Sequence, residues 1–334
     1  MDDQSWPWPA GAATGIGSMP GTDVAEAQRI VLGELPALPH LQELPARGAG
    51  ADVIGRTAGL LVDLPVELYA GQWRVAARTG RDLRRAHDLL ERDLDQLTEQ
   101  AEGFTGTVKI QAAGPLTMAA SLDLAIGGRL LRDPGAVRDL TDSLAEGLRG
   151  HVADLVRRLP QATVLLQLDE PSLPAVLAGH IPTESGFSAY RAVETSAARD
   201  LLRIVVDAAG APVVVHCCAP EMPMELFRTA GAVAVSFDLA LIKQLDPLGE
   251  AIEAGLGLLV GAIPATPPLS GAAPSAEQVA DRIRQLWSRL GFPRQQLAQQ
   301  VVVTPDCGLA GATPEYARAV LTTAREAGTR LYEV

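Results

Sequence analysis

The chain has 334 residues, a formal net charge of -12 and a pI of about 4.9, and 47% of it is hydrophobic. That length and apolar content suit one large globular unit with a sizeable core. The acidic balance argues against a nucleic-acid partner, whose phosphates would be repelled. No apolar run approaches the roughly 20 residues that span a bilayer, so no membrane partner is expected.

The opening stretch MDDQSWPWPA is acidic and proline-rich, without the basic region or apolar core of a signal peptide. A cytoplasmic location is therefore expected, with residues 1–11 as an N-terminal extension and 12–334 as one domain. Cys217, Cys218 and Cys307 are the only cysteines. In a reducing compartment they are free thiols or metal thiolates.

Short runs of Val, Ile and Leu alternate with longer amphipathic segments. Such runs suit strands buried on both faces, as in a parallel sheet. The first expected strand, 13–18, is followed by a helix that begins at Asp23, a good N-cap. Residues 37–58 lack periodicity and read as an insertion near a barrel mouth. The second expected strand is GLLVDL, 59–64, and the next helix places Leu83, Leu90, Leu94 and Leu97 on one face. TVKIQA at 107–112 is the third, before a long helix that carries Pro134 near its start. TVLLQLD at 163–169 is the fourth, before a helix stopped by Gly210. PVVVHC (212–217), AVAVSF (232–237) and GLLVGA (257–262) follow, separated by short helices at 220–229 and 244–254. A proline-rich loop spans 264–275, and QVVVTP at 300–305 lies between the last two helices. Eight strands alternating with helices predict an α/β chain folded as a single (β/α)8 TIM barrel. A doubly wound sheet would carry G-x-G-x-x-G after its first strand, and IGSMPGT lacks that spacing.

In such a barrel the chemistry gathers at the C-terminal ends of the strands. Ser18, Glu67, Thr117, Asp169, Glu170, His216, Cys218, Asp238 and Cys307 all fall at or just after expected strand ends. His216 and Cys218 are two apart, so on an extended strand end they face the same way. Cys307, at the end of the last strand, is placed to join them. Two thiolates and an imidazole form a zinc set, and Asp238 is the nearest strand-end carboxylate. The plain alternative is equally open at this level: a Cys is often a small core residue, and a His a satisfied structural one. Cys217 should face the helix layer instead.

Five motifs occur in a telling order: IGSMP (16–20), LQLDEPSL (166–173), HCC (216–218), SFD (236–238) and TPDCGL (304–309). With them the chain resembles the catalytic C-terminal half of cobalamin-independent methionine synthase, and more loosely the uroporphyrinogen decarboxylase-like barrels. The resemblance implies an S-methyltransferase of methionine biosynthesis, with Zn2+ held by His216, Cys218, Asp238 and Cys307. Asp238 stands where the family has Glu, which shortens its reach by one methylene. The substrate implied is a homocysteine-like thiol, its carboxylate taken by Ile16, Gly17 and Ser18 and its ammonium by Asp169, the residue central to catalysis. Glu67 is matched to a family Glu that also grips substrate, and Glu170 is expected to orient a ligand or a loop rather than touch substrate. The family His after strand seven has no counterpart in VGAIPATPP. The methyl donor is thus either methyl-folate or a corrinoid, and the corrinoid needs no proton on leaving. Two alternatives stand beside this one: a zinc methyltransferase for another thiol, and a metal-binding barrel that has lost catalysis.

Overall fold

The computed structural model describes residues 6–268 and 271–333. The first five residues of the expected extension, and residues 269 and 270 of the expected proline-rich loop, lie outside the described residues.

A small antiparallel hairpin comes first, β1 (Val66–Tyr69) with β2 (Gln72–Val75). The main sheet is parallel and has six strands in sequence order: β3 (Thr107–Ala113), β4 (Thr163–Asp169), β5 (Val213–Cys217), β6 (Ala234–Asp238), β7 (Gly257–Ile263) and β8 (Val301–Pro305). Each of these coincides closely with an apolar run in the sequence. Their crossovers carry helices, the longest being Pro134–Arg158, where Asp133 accepts from Gly135 N and Ala136 N and Pro134 opens the first turn.

The sheet is curled, and the N-terminal segment meets both of its edges. Ala13 bridges Val303 of β8, His40 bridges Lys109 of β3, and Ser18 bridges Glu43. The backbone bonds are few: Thr14 N to Val303 O at 3.1 Å, Met19 N to Glu43 O at 2.8 Å, Leu41 N to Lys109 O at 2.8 Å. The result is a mixed α/β fold around a six-stranded parallel half-barrel. The first expected strand is present as isolated bridges.

The second expected strand, 59–64, is not a strand. Leu60 N and Leu61 N bond back to Thr57 O and Ala58 O, and Asp63 takes a positive φ of 56° before Pro65. The run is apolar because it lies on the helix Pro134–Arg158: Ser143 Oγ donates to Val62 O at 2.6 Å. The stretch that meets β3 comes instead from 37–58, the expected insertion.

Alternation along each strand sorts the side chains into two layers. Val215, Cys217, Val235, Phe237, Leu258 and Val303 face outward into the large cluster shared with the helices. Leu165, Val214, Ala234, Leu259 and Val302 face inward and close around Trp8, Ala12 and Leu38. Trp8 enters the foot of the sheet where β7 starts with Gly257; a Cβ there would fall 2.6 Å from the indole. Trp8, within the expected extension, therefore supplies part of the core. No helix among the described residues is long and apolar enough to cross a membrane.

Candidate active site

Above the apolar foot, the inward positions turn polar. On β5 the period-two alternation that buries Val214 inward carries His216 inward too, and Cys218 follows just past the strand. Cys307 arrives from the turn after β8. The donor atoms of His216, Cys218 and Cys307 all lie within 4.8 Å of one another. The two Sγ atoms are 3.4 Å apart, well beyond a disulfide of about 2.05 Å. Two ligands each about 2.3 Å from a tetrahedral ion would stand about 3.7 Å apart, so the donor set fits such an ion.

His216 is buried, and its Nδ1 lies 2.9 Å from Ser236 Oγ on the adjacent strand. That contact fixes the ring and leaves Nε2 as the nitrogen not engaged by Ser236. The Cys218 thiol and the neighbouring His216 ring favour the Cys307 thiolate, so the Cys307 pKa is lowered, and Cys218, as the thiol bonded to Cys307, is raised. The turn that delivers Cys307 depends on Gly308: a Cβ there would come within 2.0 Å of Ser18 Oγ. Leu309 N also donates to Ser18 O at 2.8 Å. Ser18 is thereby held beside the cysteine cluster.

Asp238, expected as the fourth ligand, is not in this cluster among the described residues. Its carboxylate accepts from Ala240 N at 2.8 Å and caps the short turn Leu239–Leu241. The shorter Asp side chain stays with its own backbone.

Asp169 ends β4 directly beside His216 in the parallel register. Gln167 Nε2 donates to its Oδ1 at 2.7 Å. Burial pushes the Asp169 pKa up, opposed by the neighbouring His216 and Lys109 and by the Gln167 bond. Lys109, fully buried, donates from Nζ to Ile16 O at 2.9 Å and to Gln167 Oε1 at 2.8 Å. Burial lowers its pKa to about 8, against the pull of Asp169 and Glu43. Glu43 flanks Ser18 through two backbone bonds, Glu43 N to Gly17 O and Met19 N to Glu43 O. Glu43 is itself buried, and burial raises its pKa to about 7 although Arg56 Nε is 3.6 Å away. One interior thus gathers Ile16, Gly17, Ser18 and Asp169 with the cysteine cluster.

Glu67 sits elsewhere in the bonding scheme. It lies on the hairpin, where its Oε1 accepts from Arg74 at 2.7 and 2.9 Å, and Arg74 covers the Tyr69 ring. Glu170 is buried and accepts from Leu116 N, Thr117 N and Thr117 Oγ1 at 2.8–2.9 Å, clamping the helix Pro115–Ser121 to the end of β4. Cys217 is buried in the outer layer, as its position in the alternation requires.

The residues missed in the sequence are Glu43, Lys109, Gln111, Gln167 and Ser236. A signal existed for some: Lys109, Gln111 and Gln167 are polar residues inside otherwise apolar strand runs. For Glu43 the surrounding prolines hide the strand-like backbone.

The sequence matches the family model of the cobalamin-independent synthase, catalytic domain, over residues 11–330. A search of curated proteins returned no match. Among solved structures, a B12-independent methionine synthase from Shewanella sp. W3-18-1, in complex with selenomethionine, is 14% identical; 97% of this chain and 98% of that one align with a TM-score of 0.59. That likeness is one of fold. A mandelate oxidase variant with 2-hydroxy-phenylacetamide aligns over 93% of each chain, at 16% identity, but with a TM-score of only 0.30.

Proposed function

This chain belongs to the cobalamin-independent synthase catalytic-domain family, and on that premise we propose that it transfers a methyl group to a thiol, homocysteine, giving methionine. The observation that carries this reading is the His216–Cys218–Cys307 cluster set beside Asp169 and Ser18. Two thiolates and an imidazole suit zinc; His216, Cys218 and Cys307 would hold it, and Asp238 would complete the set only by turning away from Ala240 N. The chemistry zinc would supply if held there is a lowered pKa for a substrate thiol near neutral pH.

The protein's own residues supply the positioning. Asp169 receives the ammonium of the amino acid, and Glu43 adds a second buried carboxylate on the same side. Ile16, Gly17 and Ser18 take the carboxylate through backbone and hydroxyl groups. Ser236 holds the His216 ring in one orientation. Holding the sulfur beside the donor methyl converts an encounter into a local step, which is where much of the rate gain arises. The complex of the structural neighbour with selenomethionine supports an amino-acid thioether as the product class. β7 runs into Pro264 and Ala265 with no histidine to protonate a leaving group, which favours a corrinoid methyl donor over methyl-folate.

The test combines metal analysis with methyl transfer. The parent should bind one zinc and methylate L-homocysteine, faster from a methyl-corrinoid than from methyl-folate. Cys218→Ser and Cys307→Ser should each lose zinc and reduce turnover more than about 100-fold. Undiminished zinc in both variants would remove them as ligands. Turnover restricted to a thiol without amino and carboxyl groups would move the substrate to a different class.

A further inference from the structure

Of the 28 Lys and Arg residues, only Lys109 and Lys243 are lysine. Lys109 is placed midway along β3, fully buried, inside the curl of the sheet. Its Nζ donates to Ile16 O at 2.9 Å, Gln167 Oε1 at 2.8 Å and Gln111 Oε1 at 3.4 Å. An ammonium has three donors and no acceptor, so these contacts use its whole capacity.

The consequence reaches beyond Lys109 itself. A donor-only centre obliges both glutamines to turn their carbonyl ends toward it and their amide ends away. Gln167 Nε2 then donates to Ile16 O at 2.9 Å and to Asp169 Oδ1 at 2.7 Å. Gln111 Nε2 donates to Leu41 O at 2.6 Å. The Ile16 carbonyl is gripped twice, and Asp169 is fixed through Oδ1. The positive charge of Lys109 also favours the ionised forms of two buried carboxylates, Asp169 and Glu43, and so offsets the repulsion that Asp169 exerts on Glu43. A guanidinium is a planar fork and would not meet three converging oxygens the same way.

We propose that Lys109 is a positioning residue that sets the direction of the Gln167 amide and the Ile16 carbonyl, and so presents Asp169 and the Ile16–Ser18 segment to the amino-acid end of the substrate. This rests on the homocysteine reading above for the identity of that substrate. Among the described residues, none of the hydrogen bonds of Lys109, Gln111 or Gln167 goes to His216, Cys218 or Cys307. Lys109 therefore governs one end of the ligand and leaves the metal cluster alone. Without the ammonium, the Gln167 amide is free to turn end for end and withdraw its donor from Asp169.

The experiment is calorimetric binding of L-homocysteine and of 1-propanethiol to zinc-loaded protein. Lys109→Met should raise the Kd for L-homocysteine about 10- to 100-fold, keep 1-propanethiol within about two-fold, and retain the zinc content of the parent. Combined with Asp169→Asn, its effect should be far less than the product of the two single effects, because both act on one contact. Equal loss for both thiols, unchanged homocysteine binding, or multiplicative effects in the double variant would overturn the proposal. Should Lys109→Met fail to fold by circular dichroism, Gln167→Leu cuts the same relay and must give the same homocysteine-only loss; unaltered binding there overturns it. A parent that binds 1-propanethiol as well as homocysteine sinks the functional reading and this one with it. A parent that prefers homocysteine, with Lys109→Met unaltered, sinks this one alone.

Discussion

Two layers on the inner face of the sheet lie one step of the alternation apart and have opposite contents. At the foot, Leu165, Val214, Ala234, Leu259 and Val302 close on Trp8 and Leu38. One step up, β4, β5 and β6 present Gln167, His216 and Ser236, all buried. The backbone is the same and the burial is the same. What differs is whether the side chains satisfy one another by dispersion or by directed hydrogen bonds. A buried polar layer is costly unless its partners are supplied; here Gln167 donates to Ile16 O of the N-terminal segment and to Asp169, and His216 and Ser236 satisfy each other. The foot provides stability, and the layer above it holds the polar groups to which the proposed function assigns ligand and metal.

The comparison is broken most forcefully from below. Trp8→Ala removes the indole that fills the foot and should cost about 3–5 kcal/mol of stability, read by urea unfolding. Zinc stoichiometry of the folded variant should be unchanged; loss of zinc at preserved stability would show that the layers are not separate. One step up, Ser236→Ala takes the partner from His216 Nδ1. It should weaken zinc binding about 10- to 100-fold while moving unfolding of the metal-free protein by no more than about 1 kcal/mol. A large stability loss without a change in zinc affinity would make Ser236 a packing residue instead. The smallest effect is expected outside both layers. Glu67 is half-exposed and paired with Arg74, and exposed pairs contribute about 0–1 kcal/mol. Glu67→Gln should change the KM for homocysteine less than about two-fold; a change above about ten-fold would bring the hairpin into the site.

The parallel strands β3 to β8 are legible in the sequence because each is a continuous apolar run bounded by turn residues. The run at 59–64 has the same composition, but its Leu and Val residues serve the packing of a turn on a helix. A short apolar run carries no mark of which service it performs. The stretch 38–43 is hidden for the opposite reason: prolines at 36, 39 and 45 read as loop, while the bridge to β3 needs only two backbone bonds, Leu41 N to Lys109 O and Lys109 N to Pro39 O. His216, Cys218 and Cys307 are legible because their side-chain types are rare and carry their chemistry with them. Lys109 and Glu43 are not, because what makes them functional is a neighbour distant in the chain; Ile16 is 93 residues from Lys109.

Those long separations also set a timetable for synthesis. Trp8 finds its backbone partner at Gln299, 291 residues later, and Ala13 finds Val303. A growing chain emerges N-terminus first, so its earliest residues wait until β8 has been made. Throughout that wait the foot of the sheet is open apolar surface, the kind a chaperone holds or a second nascent chain sticks to. The segment that ends the wait carries Cys307 four residues beyond Val303. Sealing the foot and bringing Cys307 to His216 and Cys218 thus belong to one late event.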